Sequence, residues 1–140
     1  MERKILEDYK INVKLKLSAL WVSLMFCYIY GDYFELYVPQ KVNGLLSGEN
    51  MLDTPSKLFI ATLVLVIPSL MICLSILLKP ATSKWLNIIF GVVFTLMMLF
   101  IAVNSISTWY GFYVFLAIIE SIITAYIVWL AWKWPLSKTS

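Results

Sequence analysis

LFIATLVLVIPSLMICLSILL, residues 58–78, contains no charged side chain over its whole length. A bilayer core needs roughly 20 apolar residues in a helix, and this stretch supplies them. Thr54-Pro55 precedes it and Lys79-Pro80 closes it. Thr54 suits the cap of a helix whose first position is Pro55, where a missing N–H loses no bond. Pro80 cannot continue the hydrogen-bond ladder. Pro68 lies near the middle of the span. It frees a carbonyl about one turn earlier, so a kink is expected there, either absorbed by neighbouring helices and Ser69 or used as a hinge.

Three further apolar runs lie on either side of this one. They cover about residues 17–37, 86–105 and 112–132. The 140-residue chain is 61% hydrophobic and 14% charged, whereas a soluble domain carries about 25% charge. The runs lack the alternation of a membrane β-barrel. The expected fold class is an all-α integral membrane protein: a four-transmembrane-helix bundle forming one membrane domain over residues 1–140. Thr82 or Ser83 is expected to cap the third span. NSISTWYG (104–111) reads as a polar turn, and Trp134-Pro135 ends the fourth span. The loop 38–57 is rich in turn residues, and its Val42, Leu45, Leu46, Met51 and Leu52 suggest that it lies against the bundle. The acids and lysines before residue 17, and the absence of a small-residue cleavage site after the first run, argue against a cleavable signal peptide.

The net charge is only +3, but its placement is informative. Arg3, Lys4, Lys10, Lys14 and Lys16 precede the first span, Lys79 and Lys84 separate the second from the third, and Lys133 and Lys138 follow the fourth. The other two connections hold only Lys41 and Lys57. Positive residues stay on the cytoplasmic side, so both termini are expected there. YKINVKLK (9–16) reads as an interfacial helical turn whose lysines snorkel to anionic headgroups. Trp85, Trp109, Trp129, Trp132 and Trp134 suit the aromatic belt at the membrane interfaces.

Several function classes drop out. The chain has no histidine, no CxxC and no phosphate loop, which removes the commonest general base and the commonest metal sites. Cys27 and Cys73 lie in apolar runs, as packing residues do. The few scattered basic residues do not favour nucleic acid. No cofactor is implied.

Acidic residues inside the spans are the features that call for chemistry. Asp32 and Glu35 in CYIYGDYFELYVP (27–39) are three apart and share a helix face, which continues back through Tyr28, Met25, Trp21 and Ser18. Glu120 is alone in the fourth span, eight residues past Phe112, or roughly 12 Å below its edge. Around it lie Tyr113, Ala117, Ser121 and Thr124. Asn104 and Thr62 could complete a site with Glu120 and Asp32, and Trp21 could line a ligand cavity. No Lys or Arg sits at comparable depth. A buried carboxylate without a cation takes up a proton or binds a cation from outside. The competing readings place Asp32 and Glu35 at the water interface among tyrosines, and make Glu120 a neutral structural clamp.

KLKLSALWVSLMFCYIYGDYFELYVP (14–39), together with four spans over nearly the whole chain, resembles an uncharacterised family of small bacterial membrane proteins. The outline is also similar to DoxX-type four-helix membrane proteins. The resemblance implies a four-helix bundle in a bacterial inner membrane and carries over no site residues. The small multidrug transporters, short four-helix proteins with an intramembrane Glu in the first helix, are an analogy only.

The functional expectation is a transporter or channel component that binds a proton or small cation at Glu120, Asp32 and Glu35, with Tyr28, Asn104 and Trp21 nearby, and a homo-oligomer is compatible with so few spans. The alternatives are an enzyme or binding protein for a quinone-like or sterol-like molecule, and an accessory protein whose acids serve packing.

Overall fold

The computed structural model describes residues 9–136; Arg3, Lys4 and Lys138 lie outside them. Five helices are present among the described residues: α1 (Val13–Glu35), α2 (Lys41–Ser47), α3 (Pro55–Leu77), α4 (Pro80–Asn104) and α5 (Gly111–Trp132). All but α2 are long and apolar enough to cross a membrane, so the chain has the make-up of a multi-pass membrane protein. Only 17% to 33% of the apolar stretch of each span is buried within the chain. Much of the rest is exposed apolar side chains, such as Phe26, Leu63, Val93 and Ile122, as a lipid solvent permits.

Local sequence explains the ends. The Asn12 side chain accepts the Lys14 N–H at 2.9 Å and starts α1. The Thr54 hydroxyl accepts from the Lys57 N–H at 3.3 Å, with Pro55 as the first residue of α3. The third span begins earlier than expected, at Pro80, with Lys79 as its cap. Thr82 and Ser83 are therefore inside α4 and cap nothing. Ser83 is fully buried instead and donates to the Ser75 carbonyl at 3.0 Å.

Two other expectations change. The segment 38–57 is not turns alone, because α2 forms between two left-handed residues, Gln40 (φ 66°) and Gly48 (φ 81°). A Cβ on Gly44 would meet the Glu49 carbonyl oxygen at 2.8 Å, so the fold back from α2 needs a glycine there. The lysine of YKINVKLK nearest α3 does not reach for lipid. The Lys14 ammonium donates to the carbonyls of Ile76, at 3.0 Å, and Leu78, where the end of α3 has no intrahelical donors and the dipole favours a cation.

The four long helices form a ring. The closest neighbours are α4 and α5, then α1 with α3 and α1 with α5, and the α3–α4 seam is the most open. Gly91 lets α4 and α5 approach: a Cβ there would meet Val128 Cγ2 at 2.6 Å and the Thr124 carbonyl at 3.4 Å. Next to it, the Thr95 and Thr124 hydroxyls bond at 2.7 Å. The core centres on Leu17, Trp21, Leu24, Met71, Phe94 and Ile127.

A buried polar cluster ties three helices together at the end of the bundle that carries Asn12, Lys79 and Lys133, here called the terminal end. The Trp21 indole N–H donates to Asn87 Oδ1 at 2.7 Å, and the Ser75 hydroxyl donates to the same oxygen at 3.2 Å. The Asn87 amide donates to the Ser83 carbonyl at 2.8 Å. These bonds close α3 onto α4 at this end. Towards the opposite, loop end, the two helices are separated by a cavity.

Candidate functional site

The cavity has a volume of about 330 Å³ and receives residues from all four spans. From α1 come Tyr28, Gly31 and Asp32; from α5 come Tyr113, Leu116, Ala117 and Glu120. Ala61, Val64 and Leu65 of α3 face Met97, Met98 and Ile101 of α4, and Leu52 of the loop covers one side. The polar groups therefore sit on the α1–α5 side, and the α3–α4 side is apolar.

Helical spacing accounts for the polar wall. Tyr28 and Asp32 are one turn apart on α1, and Tyr113, Ala117 and Glu120 lie along one face of α5. Gly31 faces α5, where a Cβ would be in ordinary contact with Leu116, at 3.5 Å, and Tyr113, at 3.8 Å, so the approach of the two helices does not require glycine there. Glu120 is only 5% exposed. Its carboxylate takes part in neither of the two ion pairs among the described residues. Its backbone carbonyl is engaged by the Thr124 hydroxyl at 2.9 Å. Asp32 is exposed, nearer the loop end. Tyr28 is 9% exposed, packs its ring near Phe94 with centroids 6.5 Å apart, and has a fully enclosed hydroxyl with no hydrogen-bond partner among the described residues. Buried polar groups are nearly always paired, so this oxygen stands out.

Pro68 has no N–H to give to the carbonyl four residues back, that of Val64, and Val64 is among the residues that line the cavity. α3 stays helical through Pro68.

The expected site residues divide. Asp32, Glu120 and Tyr28 come together in the cavity, and the structure does not bring Trp21, Glu35, Asn104 or Thr62 to it. Trp21 is buried in the terminal-end cluster and is not among the residues that line this cavity. Thr62 is held by its own helix, donating to the Leu58 carbonyl at 2.9 Å. Glu35 meets the Lys41 ammonium at 2.6 Å and accepts from the Tyr110 hydroxyl at 3.2 Å. Burial, and next the Glu35 carboxylate, push the Tyr110 phenol above its ordinary range, with Lys41 pulling the other way, so Tyr110 remains a donor at neutral pH. Asn104 donates to the Phe100 carbonyl at 2.7 Å.

Glu35, Lys41, Asn104 and Tyr110 line a second, wider space of about 690 Å³ at the loop end. Tyr113 and Ile101 line both spaces, so the loop-end vestibule stands over the acidic chamber with these two side chains between them. Asn87 and Tyr113 carry more of the architecture than their sequence context suggested. An asparagine inside an apolar run was the available signal for the first, and the turn spacing of Tyr113 from Ala117 and Glu120 for the second.

A helical protein with four helices long and apolar enough to span a membrane, and between them a cavity lined by two carboxylates, is the class that fold and site define. Within that class, the chain belongs to a family whose description reads "Family of unknown function", which matches residues 3–139. That match shows no link to DoxX-type proteins. Nothing among curated proteins and nothing among solved structures matches the chain.

Proposed function

We propose that this chain is a transporter or channel component that binds a proton or small cation in the chamber of Glu120 and Asp32. One observation carries the reading: Glu120 is nearly fully enclosed, faces a cavity and meets no Lys or Arg among the described residues. A carboxylate in that position is costly unless a proton or cation joins it. The vestibule above the chamber offers a way in from the loop end. We further take the membrane to be the bacterial inner membrane, with both termini cytoplasmic, from the charge asymmetry. Outward-facing apolar surface on every span leaves room for a homo-oligomer.

The titratable groups facing Glu120 are few. On α1 they are Tyr28 and Asp32. Tyr113 is on α5 itself, and the cavity walls from α3 and α4 contribute none. A pH-dependent response lost in Glu120→Gln therefore reports this cluster. The test is purified protein in liposomes, with thermal stability and proton or cation flux followed from acidic to alkaline pH. The expected result is a pH- or cation-dependent signal in the wild type that Glu120→Gln removes. Identical behaviour of the two proteins overturns the reading.

A second reading, a binding protein or enzyme for a quinone-like or sterol-like molecule, draws on the apolar α3–α4 wall. It requires such a molecule to co-purify with gently extracted protein, as mass spectrometry would detect.

A further inference from the structure

The chamber differs from an ordinary ion site in two respects. Its side-chain oxygens, two carboxylates and two phenols, can all accept hydrogen bonds, and most of its wall is hydrocarbon. We propose that its ligand is a protonated primary or secondary amine carrying an apolar body, held with the ammonium between Glu120 and Asp32 and the apolar part against α3 and α4. This inference rests on the cation reading above and narrows it.

A bare metal ion fits poorly. Calcium takes about six to eight oxygen ligands and magnesium demands near-octahedral geometry. Among the described residues, no group of three or more His, Cys, Asp or Glu side chains is placed to hold a metal ion. The cavity offers two carboxylates beside Met97, Met98, Ile101 and Leu65, and such a wall gains nothing from a small hydrated cation. Its volume of about 330 Å³ lies at the lower end of the range for small organic ligands.

An amine is favoured over a quaternary ammonium by the unpaired acceptors. Tyr28 is nine-tenths buried with an orphan hydroxyl, and Glu120 is 5% exposed and in neither ion pair among the described residues. An ammonium N–H can satisfy such oxygens, whereas a trimethylammonium has no N–H to offer. Charge satisfies the carboxylates, N–H donors satisfy the neutral oxygens, and the remaining wall takes hydrocarbon.

The route is consistent with an amphiphile. Ser75, Ser83 and Asn87 lock α3 to α4 at the terminal end, and the same two helices part around the cavity towards the loop end. Neutral amine partitioned into the bilayer meets this seam directly and takes its proton at the acid pair.

The test uses the full chain in lipid nanodiscs and four probes: phenethylammonium, its trimethyl analogue, the neutral phenethyl alcohol, and magnesium or calcium chloride. Binding is read by calorimetry and thermal shift. The expected result is saturable binding of phenethylammonium, uncompeted by the alcohol and not reproduced by the metals. Glu120→Gln should weaken it by more than about tenfold, since one side of a buried charge pair is lost. Tyr28→Phe should weaken the primary amine a few-fold and leave the trimethyl analogue unchanged, which a merely structural tyrosine would not do. Should Glu120→Gln fail to fold, Asp32→Asn at the exposed side replaces it, with loss of binding again expected. Equal binding of the alcohol, or amine binding indifferent to both acid substitutions, overturns the proposal. Absence of amine binding beside an intact Glu120-dependent proton response sinks the amine and keeps the cation reading. Absence of any Glu120-dependent response sinks both.

Discussion

Glu35 meets a lysine at 2.6 Å, whereas Glu120 meets a cavity. The pair at Glu35 is partly exposed, with about a fifth to a quarter of each side chain accessible, at 21% for Glu35 and 24% for Lys41. Lys41→Met should therefore cost under about 1 kcal/mol of stability, seen as a small drop in Tm. Tyr110 holds the same carboxylate. Its raised phenol means that this bond is fully present below the ordinary tyrosine range and is lost only as pH climbs through the raised value. A stability profile of Tyr110→Phe should run below the wild type by a constant margin at neutral pH, and the wild type should fall towards it only in alkali. At the terminal end the stakes are larger. Asn87→Ala strips a buried indole N–H and a buried serine hydroxyl of their acceptor and should cost about 1–3 kcal/mol. Asn104→Ala, whose amide serves only its own helix, should stay within about 0.5 kcal/mol. Comparing the two melting shifts checks the assignment. Glu120 and Asp32 were legible because a charge in an apolar run is conspicuous. Asn87 was not, because its importance comes from Trp21 and Ser75 on other helices, and no single stretch records that meeting.

At the scale of helices, the spans were readable from hydrocarbon and proline, as was the start of α3 at Thr54-Pro55, but the starts of α1 and α4 were not. Lys14 and Lys16 made the first turn of α1 look like a flank. The acceptors that allow Lys14 to sit there belong to α3. The α4–α5 contact was equally hidden, since Gly91 in a hydrophobic run says nothing about what faces it. Its meaning is spatial: Val128 occupies the place of a side chain. Gly91→Ala should destabilise by about 1–3 kcal/mol through overpacking, and Val128→Ala in the same chain should return part of that loss. A double-mutant cycle on unfolding in mild denaturant measures the coupling. α2 escaped the sequence reading because two left-handed residues end it on either side, and one of them is glutamine rather than glycine or asparagine.

Over the whole molecule, charge is divided between the two ends. Among the described residues, Lys10, Lys14, Lys16, Lys79, Lys84 and Lys133 gather at the terminal end, while the loop end keeps two lysines, each paired: Lys41 with Glu35 and Lys57 with Asp53, both at 2.6 Å. Pairing deepens the asymmetry that the sequence already carried. With cysteine introduced at Ser107, a membrane-impermeant thiol reagent should label intact cells; with cysteine at Lys133 it should label only after lysis. The reverse pattern would invert the topology. Lys14 also has a bearing on how the chain is made. Its acceptors, the Ile76 and Leu78 carbonyls, lie more than sixty positions downstream. When the ribosome delivers the first span, that partner has not yet been synthesised, and the ammonium must remain among headgroups. Docking of Lys14 thus dates from the completion of α3, and a nascent chain stalled before Leu78 holds a first helix that has entered the bilayer but has not yet found its seat.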